Sequence, residues 1–365
     1  MNRICVQNIF IAGWLCISVP LFGATLDVKA LGAKGDGTAD DSQNIAQAIK
    51  TSQPGDAILF PAGSYKLLTK VVLLPNRRYT GQAGAVILAP ANTFAFSVPN
   101  GRDIAIDNLV FNGSGIEFVS TSGPAENITI RSCVFQNIFN DSPNWTTHNA
   151  LFISGGMAHS AIESNRFTNI LEAGKIDPTD RTANAIQAWD LSSVSIADNV
   201  FDTINQAISI HFDGAGPYEN VAIVRNTGVR IHRMGIEIQG ANTVGLLVED
   251  NSFSAFLAPF WNTFGLSIVA DGGRSTVVRG NQLTATDPST SRYGYGIEVS
   301  GKDTLVEANI IRGFFSTGIA IGTSQGMNIR QNTLCGSAGA TAIAFEADSQ
   351  PGTTMQSNTS QLVCP

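Results

Sequence analysis

Side chains able to move protons are concentrated in the middle of the chain. The strongest group for acid–base chemistry is His211, Asp213, His232, Arg233 and Glu237. Carboxyl, imidazole and basic groups placed close together can act as general acids and bases. The residue types therefore predict a site for proton transfer, provided that the fold brings these residues onto adjacent elements.

Two of these residues, His211 and Glu237, belong to a repeated motif in which a small residue is followed by alternating apolar and variable positions. Four copies are Ala207-Ile-Ser-Ile-His211, Gly235-Ile-Glu-Ile-Gln239, Gly265-Leu-Ser-Ile-Val269 and Gly296-Ile-Glu-Val-Ser300. A period of two is typical of short strands that bury one face. We expect the apolar residues to face a core and the variable residues to face away from it.

A second repeat, Asn-x-(apolar), lies between these strands. Its asparagines are Asn165, Asn199, Asn226, Asn251, Asn281, Asn309, Asn332 and Asn358, about 23 to 34 residues apart, and Cys133 takes the equivalent place one unit earlier. Units of this length cannot bury an apolar face alone, so they must stack. The repeats predict an all-β parallel β-helix, in which the asparagines form a structural amide ladder at one bend. A propeller would need longer units with four strands each.

Stacking in this register places the variable positions in columns, with about 4.8 Å between coils. One column contains Gln187, Ser209, Glu237, Ser267 and Glu298, and its neighbour contains Trp189, His211, Gln239, Val269 and Ser300. Glu237 and Glu298 would then lie about 9.6 Å apart at the backbone, nearer the spacing of inverting than of retaining glycosidases. We predict catalytic roles for the acid–base group and Glu298.

Polar and aromatic side chains beside the columns predict a sugar-binding strip, since polar groups suit hydroxyls and aromatic faces suit sugar rings. The substrate-binding candidates are Gln187, Trp189, Gln239, Tyr293, Tyr295 and Lys175. Four long inserts, residues 136–148, 168–182, 254–264 and 284–295, fall on the same side of the coil. We expect them to wall a groove.

Composition restricts the classes of partner. The formal net charge is −7 and only 14% of the residues are charged, which argues against nucleic-acid binding because no basic cluster is present to track phosphates. Cys133, Cys335 and Cys364 show no metal-ligand spacing, so no structural metal site is expected. In an oxidising compartment Cys335 and Cys364 could form a disulfide, whereas Cys133 lies in an apolar run and reads as a buried thiol.

Residues 1–24 have the pattern of a secretory signal, since Arg3 is followed by an apolar stretch that ends at Gly23 and Ala24. The remaining 25–365 are expected to form one domain, with an N-terminal cap and first coils over 25–90 and repeat coils over 91–365. The predicted location is secreted or periplasmic. No other membrane segment is expected, and the oligomeric state is left open.

The N-terminal part contains three consecutive features: Leu26-Asp-Val-Lys-Ala-Leu-Gly-Ala-Lys-Gly-Asp-Gly-Thr-Ala-Asp-Asp41, the helical pattern Ile45–Ile49, and Gly55-Asp-Ala-Ile-Leu-Phe-Pro-Ala-Gly-Ser-Tyr65. In this order they resemble the opening of the pectate-lyase-like superfamily. The resemblance implies a right-handed parallel β-helix whose first coil is plugged by a helix. It covers lyases, hydrolases, epimerases and tailspikes. The catalytic motifs of these subfamilies are absent beyond the N-terminal Asp pair, so no catalytic residue is carried over.

Together, the groove and the resemblance predict an exported carbohydrate-active enzyme that cleaves an acidic or plant-type polysaccharide. A polysaccharide lyase acting by β-elimination at a uronide is preferred on the resemblance and on the cations Arg233 and Lys175. The alternatives are an inverting glycoside hydrolase of polygalacturonase or rhamnogalacturonase type, a uronate C5-epimerase, and a non-catalytic surface carbohydrate-binding β-helix. Calcium (Ca2+) is expected only for a lyase, with acids such as Asp213 and Glu237 as ligands.

Overall fold

The chain winds into stacked coils, each contributing short parallel strands to two long sheets. The computed structural model describes residues 23–141, 143–175, 182–256, 264–285, 293–313, 315–336, 341–345 and 352–361, together with the backbone of the antiparallel strands Ile4–Val6 and Leu15–Ile17. The predicted fold, an all-β right-handed parallel β-helix with an N-terminal helix, is confirmed. Among the described residues, no helix is long and apolar enough to cross a membrane.

Within the described ranges, sheet A has 13 strands in chain order, so each coil adds one strand to it. Its strands are Thr25–Asp27, Ala57–Phe60, Arg77–Gly81, Arg102–Asp107, Ala125–Arg131, Met157–Glu163, Leu191–Ala197, Ala222–Val224, Leu247–Glu249, Val277–Arg279, Leu305–Glu307, Asn328–Arg330 and Thr354–Gln356.

Sheet B has 24 strands among the described residues, because each coil crosses this side of the β-helix in one long strand or in shorter pieces. Its strands are Asp36–Asp40, Gly63–Lys66, Val71–Val72, Ala85–Leu88, Phe96–Pro99, Val110–Asn112, Ile116–Val119, Val134–Ile138, Leu151–Ser154, Arg166–Ile170, Asn184–Trp189, Val200–Phe212, Tyr218–Glu219, Thr227–Gly240, Thr243–Val244, Ser252–Ser254, Phe264–Arg274, Gln282–Thr284, Tyr293–Lys302, Ile310–Gly313, Phe315–Gln325, Thr333–Gly336, Thr341–Phe345 and Thr359–Gln361.

The one α-helix in the described part of the chain, Ser42–Thr51, packs on the first coils through Ile45, Ala48 and Ile49. The acidic residues before it hold turns in place. The carboxylate of buried Asp41 accepts the backbone N–H groups of residues 34 and 35 at 2.6 and 3.0 Å rather than capping the helix. The carboxylate of Asp36 accepts two backbone N–H groups, which lowers its pKa to about 2. These acids have structural partners within the cap.

Short 3-10 turns occur at Trp145–His148 and Glu172–Gly174.

The predicted amide ladder runs without a break through eight asparagines, from Asn165 to Asn358. In each step an Oδ1 atom accepts both the backbone N–H and the Nδ2 group of the preceding asparagine, at 2.9–3.1 Å. Cys133 starts the series, since its backbone N–H donates to Asn165 Oδ1 at 3.0 Å. The ladder satisfies buried polar groups at one bend of the coil and fixes the stacking register.

Aromatic rings stack inside the coils as well. Phe111, Phe135, Phe167 and Phe201 occupy equivalent positions, with neighbouring centroids 4.8–5.1 Å apart and nearly parallel planes. The next coil has Gly228 at this position, and the ring of Phe253 from the coil beyond fills the gap at 6.3 Å from Phe201. A Cβ atom at Gly228 would lie 2.4 Å from that ring. The core is therefore continuous between coils.

The cysteines with described side chains, Cys133 and Cys335, are a buried thiol and a disulfide-bonded residue, as the sequence predicts. Cys133 is a free, buried thiol, and burial raises its pKa to about 12. Cys335 is disulfide-bonded. The predicted partner, Cys364, lies outside the described residues.

Candidate functional site

Five neighbouring strands of sheet B carry the predicted columns. We call the strands Asn184–Trp189, Val200–Phe212, Thr227–Gly240, Phe264–Arg274 and Tyr293–Lys302 the groove sheet. Their pairing aligns Gln187 with Ser209, Glu237, Ser267 and Glu298 in turn, and Trp189 with His211, Gln239, Val269 and Ser300. The apolar residues between them fill the core, so the alternation predicted from the sequence sets which side chains face outward.

The outward-facing column that contains Glu237 is less exposed to solvent than the outer face of an uncovered strand. Gln187, Ser209 and Ser267 are buried, although they point away from the core. Their polar groups bond to neighbours on the same sheet: Ser209 Oγ donates to Glu237 Oε2 at 3.1 Å and Ser267 Oγ donates to Glu298 Oε2 at 2.6 Å. The column is thus a connected polar network, and its partners fix the side-chain positions.

Glu237 lies at the centre of this network and is 7% exposed. Its Oε2 accepts the Nε2 group of Gln206 at 2.5 Å as well as Ser209, and its Oε1 accepts Gln239 Nε2 at 2.8 Å. Arg233 Nη2 is 3.7 Å from Oε1. Because a carboxylate has about four acceptor positions, one remains on Oε1 for another ligand.

A β-bulge brings Arg233 to this carboxylate. The pairing of strands Val200–Phe212 and Thr227–Gly240 shifts by one residue between Ile204 and Gln206, so that His232 and Arg233 together face one residue of the preceding coil. A bulge changes the direction in which its side chains point. The guanidinium of Arg233 is buried and donates through Nη1 to Gln206 Oε1, so Gln206 holds both Arg233 and Glu237.

Two cavities meet at Glu237. The larger, about 760 Å³, is lined by Phe212, Asp213, Arg233, Met234, Glu237, Gln239, Gly240, Ala241, Phe264, Ser267, Val269 and Glu298. The smaller, about 340 Å³, is lined by Trp145, Thr182, Gln187, Trp189, Ser209, His211, Arg233, Glu237 and Gln239. They share Arg233, Glu237 and Gln239, so these three side chains separate two halves of one groove.

Aromatic rings form the wall of the smaller cavity. Trp189 packs between Phe152 and His211, with ring centroids 5.5 Å away in both cases, and Trp145 lies 6.1 Å from Trp189. The indole Nε1 of Trp189 donates to Asp213 Oδ2 at 3.1 Å, which fixes the ring. An aromatic face held in this way can stack on the C–H surface of a sugar.

His232, although adjacent to Arg233, lies inside the protein. The residue is 0% exposed, and neither ring nitrogen has a hydrogen-bond partner among the described residues. Burial lowers the pKa of its imidazole to about 4, because desolvation disfavours the charged form. His232 does not line either cavity, so the geometry gives it no contact with a substrate in the groove.

We expect His232 to make stability depend on pH. The unfolded imidazole titrates near pH 6.5 and the folded one near 4, so the unfolded state binds the proton first as pH falls. The free energy of unfolding should drop by about 3 kcal/mol between pH 6.5 and pH 4. Urea unfolding across this range should show a smaller drop for His232→Leu. His159→Asn, at an exposed position, should keep the wild-type profile; an unchanged profile in His232→Leu would contradict the assignment.

Only some of the remaining predicted site residues line the two cavities. Glu298 and Asp213 line the larger cavity, whereas Tyr295 packs 5.1 Å from Phe264, one of the residues that line it. Lys175 is exposed, and neither described cavity is lined by it. The side chain of Tyr293 lies outside the described residues. Of the four inserts, Trp145, Thr182 and Phe264 reach the cavities, whereas 176–181, 257–263 and 286–292 are outside the described part.

Three contributors to the site had not been singled out by the sequence patterns. Gln206 directly precedes the motif that begins at Ala207. Its contact with Glu237 could have been predicted only with knowledge of the bulge. Phe152 pairs with Gln187, so extending the column one coil earlier would have identified it. Met234, which pairs with Gln206, lines the larger cavity. Within the described residues, no cluster of three or more His, Cys, Asp or Glu side chains is arranged to hold a metal ion.

Comparison with known proteins identifies the fold. No family profile and no curated protein matches the sequence. Among solved structures, PfbA, a surface adhesin of Streptococcus pneumoniae, has a TM-score of 0.69 at 19% identity, covering 92% of this chain and 90% of that one. The Dettilon tailspike protein has a TM-score of 0.62 at 16% identity (88% and 68% covered). The family 28 exopolygalacturonase of Yersinia enterocolitica has 0.52 at 13% (95% and 80%). The superfamily resemblance is confirmed at the level of the fold, and the subfamily is open.

Proposed function

We propose that this chain is a carbohydrate-active enzyme that holds a polysaccharide along the groove sheet and hydrolyses it beside Glu237. The observation that carries the proposal is the position of Glu237 at the junction of two cavities, one with an aromatic wall and one with further carboxylates. A glycan that spans both cavities would place one of its linkages at this junction. Sugar rings would pack on Trp189, and the hydroxyls would bond to Gln187 and Gln239.

The chemistry follows from the two glutamates of one column. Glu237 accepts hydrogen bonds on both oxygens, so it acts as the base that takes a proton from water. Glu298, two coils further along the same column, gives its proton to the glycosidic oxygen as that bond breaks. The water oxygen bonds to the anomeric carbon with inversion, releasing a new reducing end. Ser267, between the two, orients Glu298.

β-Elimination is the second candidate, favoured by Arg233, which lines both cavities close to Glu237. In that reaction Arg233 would be the base that takes the C5 proton of a uronide. The geometry supports it less well than hydrolysis, since the guanidinium is already bonded to Gln206 and the other proposed cation, Lys175, is outside the described cavities. The adhesin fold relative supports a third alternative, binding without cleavage.

Product analysis tests the proposal. The protein is incubated with polygalacturonate, alginate, rhamnogalacturonan, dextran and mannan, with and without calcium. New reducing ends without ultraviolet absorbance from an unsaturated uronide are the expected result. Absorbance of that kind would establish a lyase instead, and altered C5 stereochemistry at constant chain length would establish an epimerase. Binding with no change in any polymer would support the non-catalytic alternative.

Export through residues 1–24 belongs to the same proposal and is checked by N-terminal sequencing of secreted protein.

A further inference from the structure

We infer that Asp213 is a positioning residue, whose carboxylate orients Trp189 for glycan binding in the smaller cavity and takes no part in proton transfer. The inference rests on the proposed function and specifies the residue that prepares its sugar-binding surface. The indole Nε1 of Trp189 donates to Asp213 Oδ2 at 3.1 Å. Because an indole nitrogen can only donate, Oδ2 serves as an acceptor in this contact.

Backbone hydrogen bonds fix the position of Asp213. Asp213 directly follows one strand of the groove sheet, and Asp190 directly follows the strand that pairs with it. The backbone N–H of Asp190 donates to the carbonyl of His211 at 2.9 Å. Asp190 Oδ1 accepts the backbone N–H groups of Asp213 and Gly214 at 3.0 and 3.2 Å. The ends of two neighbouring strands are thus tied together, and the Asp213 carboxylate is held beside the indole.

Tyr218 packs against the turn that follows Asp213. A Cβ atom at Gly214 would lie 2.1 Å from the Tyr218 hydroxyl oxygen, so the turn leaves no space for a side chain there. The ring centroids of Tyr218 and Phe212 are 5.0 Å apart. Burial raises the pKa of Tyr218 to about 12, and the neighbouring Asp190 carboxylate adds to this rise. The turn is therefore closely packed, although Asp213 itself is exposed.

The bond to Asp213 decides which way the indole ring is turned. The last torsion of a tryptophan side chain is broad and roughly twofold, so two orientations related by a ring flip compete. Phe152 and His211 contact the ring of Trp189 with centroids 5.5 Å away, and ring contacts of this kind do not require the nitrogen to point in a given direction. A hydrogen-bond acceptor imposes that direction. Asp213 thereby fixes the edge of the indole that faces the smaller cavity, which Trp189 lines.

Two substitutions at position 213 separate positioning from acid–base chemistry. Asparagine keeps an oxygen that can accept the indole N–H but has no carboxyl group to exchange a proton, whereas alanine removes both. We therefore expect Asp213→Asn to restore what Asp213→Ala loses. The matched control is Asp198→Ala, at an exposed aspartate that pairs with Arg225 and lines neither described cavity.

Nuclear magnetic resonance of isotope-labelled indole groups tests the bond without a ligand. The Trp189 signal, assigned by its loss in Trp189→Phe, should exchange its N–H with solvent faster in Asp213→Ala than in the wild type. Asp213→Asn and Asp198→Ala should keep the wild-type exchange rate. An unchanged rate in Asp213→Ala would overturn the inference.

Binding to immobilised polygalacturonate, alginate, dextran and mannan tests the consequence, in a Glu237→Gln background that should not cleave them. Asp213→Ala should weaken binding to the bound polymer by about tenfold, and Asp213→Asn by less than about threefold. Because phenylalanine has no N–H to donate, Asp213→Ala should have no further effect in Trp189→Phe, as a double-mutant cycle measures. Additive losses at the two positions, or binding to none of the four polymers, would contradict the assignment.

Steady-state kinetics of the otherwise native chain on a cleaved polymer completes the comparison. Asp213→Ala should raise KM by about tenfold while kcat falls by less than about threefold, the pattern of lost binding rather than lost proton transfer. A loss of kcat of about 10²-fold or more that Asp213→Asn shares would make Asp213 an acid–base group. Failure of the two proposals is distinguishable: binding without new reducing ends refutes only hydrolysis, whereas cleavage that depends on the Asp213 carboxyl group refutes only positioning.

Discussion

Replacing Glu237 with glutamine should reduce kcat on a cleaved polysaccharide by roughly 10²- to 10⁴-fold, the contribution typical of a positioned general base. The substitution preserves size, and the amide oxygen can still accept hydrogen bonds from Gln206 and Ser209. It removes the group that takes a proton from water. Because glutamine keeps the size of the side chain and its bonds to Gln206 and Ser209, KM should change far less than kcat, and steady-state kinetics measures the two separately.

Glu117→Gln is the matched control for this substitution. Glu117 belongs to the same column of sheet B, four coils before Glu237, and its carboxylate pairs with Lys70. Neither described cavity is lined by it. Because partly exposed ion pairs contribute little, we expect stability to change by less than about 1 kcal/mol and activity to remain. Full activity in Glu237→Gln, with both variants folded by circular dichroism, would remove Glu237 from the mechanism.

The placement of the columns could be predicted because strand geometry leaves little freedom. In a parallel coil the side-chain period is two, and the asparagine ladder fixes which coil stacks on which, so the motif around Gly235 aligns with those around Gly265 and Gly296. A shift of one residue would place Ile236 and Ile238 in the groove and Glu237 in the core. The large free-energy difference between these registers is what made the columns readable from sequence.

Burial and hydrogen bonding within the columns could not be predicted in the same way. The alternation assigns Ser209 and Gln187 to the outer face, but it contains no information on what covers that face. The cover comes from inserts whose course depends on tertiary contacts, as Trp145 and Thr182 show. Periodicity therefore identifies the direction of a side chain, and only the three-dimensional structure identifies its exposure.

The bulge at His232 and Arg233 separates two residues that sequence reasoning had grouped together. His232 is buried without a hydrogen-bond partner among the described residues, whereas Arg233 lies at the groove and reaches Glu237, so the two side chains do not form one acid–base group. Nothing in the local composition distinguishes this segment from the unbulged strands. The positioning role of Gln206 is inaccessible from sequence for the same reason, since it depends on the shifted pairing.

The largest stability loss is expected from Asn226→Ala, in the middle of the amide ladder. Asn226 Oδ1 accepts the backbone N–H and the Nδ2 group of Asn199, both at 3.0 Å, and its Nδ2 donates to the carbonyl of Ile196 and to Asn251 Oδ1. Alanine leaves two buried donors of Asn199 without an acceptor. At about 1–3 kcal/mol for each unsatisfied group, the free energy of unfolding should fall by about 4 kcal/mol in urea titrations.

Position along the ladder provides the decisive comparison. Asn358, the last described rung, accepts the same two donors from Asn332, but it is half-buried, and water can reach the groups left open. We therefore expect Asn358→Ala to cost about 1 kcal/mol, the net value of an accessible hydrogen bond. Equal losses at both positions would mean that the ladder contributes through packing alone. A much larger loss at Asn226 would show that the middle rungs stabilise the coils through buried amide hydrogen bonds, whose partners water cannot reach once the asparagine is removed.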